Sequence, residues 1–148
     1  MDDPMEYSRI RAWVGEWGGR VDYVDYVKRN GDLGVLVAFS RILWPRFIEV
    51  GKCVLWDRVY EESNFKLWCD SLSGDTRKIE ATLNQLRVWQ IVDSEDVGDD
   101  REAMEFLAVR IMESWKSALR AEFPGRSFDV RILDSEDGPI VTFSADSK

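Results

Sequence analysis

The chain has 148 residues, enough for one globular domain with a core that needs no disulfide or metal, and a net charge of −8. The charge is uneven, with a net −2 in residues 1–74 and −6 in residues 75–148. This acidity argues against binding to nucleic acid or an anionic membrane, because both require a basic surface. The absence of histidine excludes Ser-His-Asp and Cys-His catalysis and every histidine-containing metal site.

Three helical segments are predicted in the first third of the chain. Apolar residues recur at helical spacing in residues 10–17, and Gly18-Gly19 should end that helix. Valines spaced three apart predict a second helix over residues 21–27, followed by a turn at Asn30-Gly31. Residues 33–43 are almost wholly apolar, which is typical of a buried helix or a buried strand, and their length favours a helix.

A β-hairpin and two further helices are predicted next. Residues 47–50 and 53–56 flank Gly51-Lys52, a glycine-first pair that suits a tight turn. Residues 57–72 are interpreted as mixed, with a helix around Tyr60, Phe65 and Trp68. The following helix is capped by Asp75 and presents an apolar stripe formed by Ile79, Leu83 and Leu86. Trp89 and Val92 are predicted to extend this stripe.

The longest predicted helix precedes the last hairpin. Asp99 suits the N-cap, Glu102 completes a capping box, and Phe123-Pro124-Gly125 ends the helix. Strands are predicted at 128–132 and 140–143, on either side of an acidic loop. The helix should bury one apolar stripe, formed by Met104, Leu107, Ala108, Ile111, Trp115, Ala118 and Leu119.

These elements predict an α+β fold. We expect several helices on one face of a small antiparallel sheet made of two hairpins, within a single domain over residues 1–148. The ends, residues 1–5 and 144–148, are expected to be frayed. No apolar run approaches the ~20 residues of a membrane span, and the acidic N-terminus is unlike a signal peptide, so a cytoplasmic protein is expected.

The sequence offers few groups for chemistry, and we assign no catalytic residue, metal ligand or cofactor. Cys53 and Cys69 are far apart and are expected to be buried thiols. The sequence Asp-Ser-Glu-Asp occurs at 93–96 and at 134–137, but neither copy has the ligand spacing of an EF-hand, so two solvated loops are expected. Five carboxylates lie among aromatic residues and would suit an acid–base cleft, although exposed surface positions are the simpler interpretation: Glu49, Asp57, Glu61, Glu62 and Glu80.

Several short sequence segments within residues 44–143 resemble those of a group of small bacterial proteins without an assigned function. They are Trp44-Pro45-Arg46-Phe47-Ile48-Glu49, Ile79-Glu80-Ala81-Thr82-Leu83-Asn84, and a C-terminal set of Trp115, Leu119, Phe123-Pro124, Phe128, Val130 and Val141-Thr142-Phe143. In that group a histidine tends to follow the position of Asn84, where this chain has Gln85, Leu86 and Arg87. The resemblance implies a bacterial cytoplasmic protein and transfers no activity.

Two classes of function remain open. The first is an acidic binding module that neutralises a basic protein partner, most concretely a bacterial immunity protein that inhibits a toxin. Its contact surface would contain the seven acidic residues that surround Arg101: Asp93, Glu95, Asp96, Asp99, Asp100, Glu102 and Glu105. The alternative is an enzyme or small-ligand protein with a cleft of carboxylates and tryptophans that holds Glu49, Glu61 or Glu80, or else an oligomeric scaffold.

Overall fold

The computed structural model of the chain has an α+β fold, as predicted. It describes residues 1–93 and 97–146, and within the second range only the backbone of residues 97–99 is described. The helices are α1 (Ser8–Trp17), α2 (Tyr23–Asn30), α3 (Leu33–Leu43), α4 (Glu62–Ser71), α5 (Thr76–Leu83) and α6 (Val97–Glu122). The strands are β1 (Phe47–Val50), β2 (Cys53–Trp56), β3 (Leu86–Arg87), β4 (Phe128–Leu133) and β5 (Ile140–Ala145).

Both predicted hairpins form, but they belong to separate sheets. β1 and β2 pair antiparallel around Gly51, whose φ of +59° suits the tight turn. The second sheet has the order β3-β5-β4, with all pairs antiparallel. The extension of α5 through Trp89 is wrong, because the helix ends at Leu83 and the chain then pairs with β5 as a short third strand.

Two buried side chains, Glu80 of α5 and Asn84 at the C-cap of this helix, connect the two sheets. The N–H of Val54 on β2 donates to Glu80 Oε2 at 2.8 Å, and the N–H of Ala145 on β5 donates to Glu80 Oε1 at 3.0 Å. Asn84 accepts from the Trp56 N–H at 2.9 Å and donates to the Val54 carbonyl at 3.0 Å. We call this pair the α5 bridge. It satisfies backbone groups of β2 and β5 that no neighbouring strand reaches.

Helix α6 buries the predicted apolar stripe against β4 and β5. Trp115 is fully buried, with its ring centroid 5.3 Å from that of Trp56 and 5.9 Å from that of Phe143. The helix begins at Val97, so the assignment of Asp99 to the N-cap is wrong and Asp99 lies in the first turn. Trp13 of α1 is half-buried and packs against Tyr26 of α2.

Helix α3 forms over the predicted residues, but the expectation that it is buried is wrong. Its C-terminal half packs on the core through Phe39, Ile42 and Leu43, and the Trp115 Nε1–H donates to the Ile42 carbonyl at 2.8 Å. The N-terminal half of the helix is exposed, with Leu33 at 77% of its accessible surface. Length and hydrophobicity therefore predicted the helix correctly and its environment incorrectly.

Regular secondary structure extends into both of the end segments for which fraying was predicted. Residues Pro4–Glu6 form a 3₁₀ helix whose N-cap, Asp3, accepts from the Met5 N–H at 2.7 Å. Ser144 and Ala145 belong to β5, and Ser144 is buried. Among the described residues, no helix has the length and apolarity needed to cross a membrane.

Candidate functional site

The candidate site is a surface hollow of about 380 Å³ on the outward face of α6. Helical periodicity places its α6 residues on one face, opposite the buried stripe, and the first residues of the chain close one side. Phe106 is half-buried and Val109 exposed, so the hollow has an apolar floor. We call it the α6 hollow, lined by Met1, Asp2, Glu102, Glu105, Phe106, Val109, Arg110 and Glu113.

Four carboxylates surround this floor, and the Arg110 guanidinium lies within it. Asp2, Glu102, Glu105 and Glu113 are exposed. The Arg110 guanidinium lies 5.0 Å from the Phe106 ring centroid, and its Nη1 is 3.1 Å from Glu113 Oε2. The hollow therefore combines an aromatic face with an excess of negative charge, the combination that attracts a lysine or arginine side chain.

The structure distributes the seven predicted contact residues over different environments. Glu102 and Glu105 line the α6 hollow, and Glu105 Oε1 also lies 3.6 Å from Arg101 Nε. Asp93 is exposed beside a different hollow, of about 210 Å³. Glu95 and Asp96 lie outside the described residues, and of Asp99 only the backbone is described.

Asp100 differs in burial from the exposed contact residue that was predicted. It is buried, and its Oδ1 accepts from the Tyr7 hydroxyl at 2.6 Å. Its Oδ2 lies 3.9 Å from Nη2 of Arg9. Burial and this hydrogen bond raise the pKa of Tyr7 to about 12. Asp100 thus connects Tyr7 and Arg9, near the start of the chain, to the first turns of α6.

Comparisons with protein-family models, curated proteins and solved structures find no match to this chain.

The second Asp-Ser-Glu-Asp segment is held by an arginine of α6. The Arg101 guanidinium donates to Asp134 Oδ1 at 2.7 Å and to the carbonyls of Ser135 at 2.8 Å and Glu136 at 3.1 Å. The positive charge of the Arg101 guanidinium against these oxygens opposes the binding of a metal ion to them. Among the described residues, no group of three or more acidic or cysteine side chains is placed to hold a metal ion.

The three carboxylates expected in an acid–base cleft are separated and have structural partners. Glu80 forms the α5 bridge, and Glu49 Oε1 lies 3.2 Å from Nη1 of Arg126. Glu61 is the N-cap of α4, and its pKa is lowered because it accepts from the Ser63 hydroxyl and from the Asn64 and Ser63 N–H groups. None of the three lines either hollow described above, so the geometry does not favour the cleft.

The buried Cys53 thiol is unsuited to nucleophilic chemistry at neutral pH. Burial raises its pKa to about 11, and the nearby charge of Glu80 acts in the same direction. A catalytic cysteine needs the opposite shift, because the thiolate is the nucleophile. Cys69 is half-buried, and the expectation of buried thiols holds fully only for Cys53.

Glu80 should make stability depend on pH. Burial raises the pKa of Glu80, although the Val54 and Ala145 N–H groups that donate to its carboxylate act in the opposite direction. The folded state therefore binds the proton of Glu80 more tightly than the unfolded chain does. The stabilisation that comes from this tighter proton binding is present below the ordinary glutamate pKa of about 4.3. It is lost as the pH rises through the raised pKa of Glu80 in the folded state. We expect the free energy of unfolding of the wild type, measured relative to that of Glu80→Gln in urea titrations, to fall between about pH 4 and about pH 7.

The matched control for that measurement is Glu62→Gln, the same change on the exposed surface of α4. A wild-type advantage over Glu80→Gln that grows with pH would show that the carboxylate form is the stabilising one.

The sequence interpretation found two of the eight residues that line the α6 hollow and missed six. Glu102 and Glu105 were selected for their charge, whereas Asp2, Phe106 and Glu113 were not selected. A signal for the last two was present: Phe106 interrupts the charged face of the helix, and Glu113 lies on that face eleven residues after Glu102. Nothing in the pattern indicated that Asp2 would reach α6.

Proposed function

We propose that this chain is a cytoplasmic binding module that neutralises a basic protein partner, most concretely a bacterial toxin-immunity protein. The observation that supports the proposal is the α6 hollow, where four carboxylates surround an apolar floor. The alkyl stem of a partner's lysine or arginine would pack on Phe106 and Val109, while its cation meets the carboxylates.

The chain's own Arg110 supports this mode of recognition. Its guanidinium lies over Phe106 and pairs with Glu113, so the hollow accommodates a guanidinium against an aromatic face. A partner's arginine would meet Glu102, Glu105 and Asp2 in the same hollow. Glu105 has only a weak competitor within the chain, because its Oε1 lies 3.6 Å from Arg101 Nε and its carboxylate is exposed.

The distribution of charge supports an electrostatically steered encounter. Residues 1–46 contain seven acidic and seven basic residues, so the net charge of −8 lies entirely in residues 47–148, which include α6. A field of one sign accelerates the encounter with an oppositely charged protein by about 10–1000-fold at low salt. The acids should therefore affect the association rate more than the dissociation rate.

Reversing the charge of the α6 hollow should slow binding. We expect Glu102→Lys with Glu105→Lys to lower the association rate for a basic partner by about ten-fold or more at low salt, and less at high salt. The partner would be obtained by co-expression with the neighbouring genes of the native host, and rates measured by stopped-flow fluorescence. Before a partner is known, an arginine-rich peptide is the probe, and amide shifts around Phe106 and Val109 report its binding.

The control carries the same charge change at a distance from the hollow. Asp70→Lys with Glu122→Lys alters two exposed acids in the last turns of α4 and α6, where a cation is favourable. Equal slowing by both double variants would show that net charge alone matters. Association that is indifferent to salt, or peptide shifts that spare the α6 hollow, would contradict the proposal.

A further inference from the structure

The outer edge of β4 has no strand beside it in the described part of the chain. β4 ends the β3-β5-β4 sheet and is six residues long. Among the described residues, its backbone forms hydrogen bonds with β5 alone. An open edge of this length is a place where an extended segment of another molecule can join a sheet.

The hydrogen-bond pattern shows which backbone groups face this edge. The Asp146 N–H donates to the carbonyl of Ser127, one residue before β4 begins, at 2.9 Å. In an antiparallel ladder, residues that bond to one neighbouring strand alternate with residues whose N–H and C=O point away from it. Every second residue after Ser127 therefore bonds to β5. The N–H and C=O groups of Phe128, Val130 and Ile132 point to the open edge.

The charged side chains of β4 do not oppose an added strand. Asp129 and Arg131 lie on one face of the strand and pair with each other, with Arg131 Nη1 2.7 Å from Asp129 Oδ2. The side chains of Phe128, Val130 and Ile132 pack into the core on the other face, which α6 covers. Edge strands commonly avoid pairing through an unpaired charge, a proline or a bulge, and β4, all of whose residues are described, has none of these.

A hollow of about 200 Å³ lies between the last turns of α6 and the first half of β4. Phe128 and Val130 line it, so a ligand in the hollow reaches the part of β4 whose backbone faces the open edge. We call it the β4 hollow. The charged residues of its lining are three cations and one acid: Lys116, Arg120, Arg126 and Asp146.

Two of these cations have no acidic partner in the described part of the chain. Lys116 and Arg120 are exposed and form no ion pair there, whereas Arg126 Nη1 lies 3.2 Å from Glu49 Oε1. The two lie four residues apart on α6, where like charges repel. The helix dipole favours a cation in the last turn and accounts for Arg120. Lys116 lies one turn earlier, and an anion from outside the chain would stabilise both.

We propose that the β4 edge binds an extended acidic segment of a partner protein, which joins the β3-β5-β4 sheet as a fourth strand. Side chains of that segment opposite Phe128, Val130 and Ile132 would point to the α6 face, where Lys116 and Arg120 lie. The side chains between them would point to the other face, where β4 offers no unpaired charge. The geometry therefore predicts acids at every second position. The proposal does not rest on the α6 hollow, which takes a cation.

Neither the net charge nor a second copy of the chain provides a better account of this edge. Charges more than about 8 Å apart are largely screened at 0.15 M ionic strength, so the local cations outweigh the net charge of −8. In an antiparallel pair of β4 strands, the α6 helices of both copies would lie on the same face of the joined sheet. Their cations would then repel each other, whereas an acidic segment neutralises them.

A synthetic peptide tests strand addition. Acetylated Thr-Glu-Thr-Glu-Thr-Glu places its three acids on one face of a strand. With the acids on the α6 face, the glutamate N–H groups face β4 and the threonine N–H groups face solvent. We expect N-methylation of the glutamates to abolish binding in NMR titrations and N-methylation of the threonines to preserve it. On binding, hydrogen exchange should slow at Phe128, Val130 and Ile132 and stay unchanged at Asp129 and Arg131, which already bond to β5.

Charge reversal tests the role of the two unpaired cations. We expect Lys116→Glu with Arg120→Glu to weaken binding of the alternating peptide by about ten-fold or more. The matched control is Lys66→Glu with Lys78→Glu, which changes the net charge equally at exposed lysines of α4 and α5. This control should bind the peptide as the wild type does, apart from a slower association.

Four results would overturn the proposal. No binding, or shifts that spare β4, would remove the site. Equal binding of both N-methylated peptides would show a charge contact without strand addition. Equal loss in both double variants would show that net charge alone matters. A dimer in sedimentation velocity without peptide, with slow exchange already present at Phe128, Val130 and Ile132, would assign the edge to a second copy.

Discussion

Replacing Trp115 with alanine should lower the free energy of unfolding by about 3–5 kcal/mol, the cost typical of removing a large aromatic side chain from a core. Trp115 is fully buried and contacts Trp56 of β2 and Phe143 of β5. It is therefore the side chain through which α6 contacts both sheets. Urea unfolding followed by circular dichroism measures the effect.

Trp115 also anchors α3, and a second variant separates this role from packing. Trp115→Phe keeps an aromatic ring but removes the N–H that donates to the Ile42 carbonyl, which should cost about 1–3 kcal/mol. Hydrogen exchange should increase in α3 before it increases in β5, because the lost contact is to α3. Trp44→Ala, at a tryptophan that is 52% exposed, is the control and should change stability by less than about 1 kcal/mol. An equal loss at both tryptophans would contradict this account of the core.

Replacing Asn84 with aspartate should cost about 3 kcal/mol at neutral pH. The change turns the donor that faces the Val54 carbonyl into an acceptor, in a position where Asn84 is completely buried. Two oxygens then face each other without a proton, and a charge is buried beside the Val54 and Phe143 carbonyls. Because protonation of the aspartate would restore a donor, the loss should shrink as the pH falls.

Asn64→Asp is the matched control for this variant. Asn64 is exposed in the first turn of α4, where a negative charge is tolerated or slightly favourable. We expect its free energy of unfolding to stay within about 0.5 kcal/mol of wild type in urea titrations. A similarly small change for Asn84→Asp would mean that the α5 bridge contributes little to holding the sheets.

The sequence was sufficient for elements whose pattern is local. The β1–β2 hairpin was predicted with its observed bounds, because Gly51-Lys52 fixes the turn and both strands are apolar. The α6 stripe was likewise predicted, because a long helix with one buried face repeats its signal over many turns. Asp75 was identified as an N-cap, and it accepts from the Lys78 N–H at 3.2 Å.

The sequence was insufficient where a long-range contact decides the outcome. Glu80 looked like a surface or cleft acid, because no local pattern shows that it meets Val54, which is 26 residues away, and Ala145, which is 65 residues away. Asp100 looked like one more acid in a run of them, until the fold placed Tyr7 against it from 93 residues away. The apolar composition of α3 indicates only that exposing its side chains to water is unfavourable. It does not show whether this chain or another one covers the helix.

The α5 bridge has a consequence for solubility. A β-strand with free N–H and C=O groups along one edge is a template on which strands of other molecules add, the usual beginning of aggregation. β3 covers the edge of β5 only at Ile140 and Val141, while Glu80 and Asn84 engage the backbone at Val54, Trp56 and Ala145. Two polar side chains thereby act as caps against strand addition, without adding a strand or a charge to the surface.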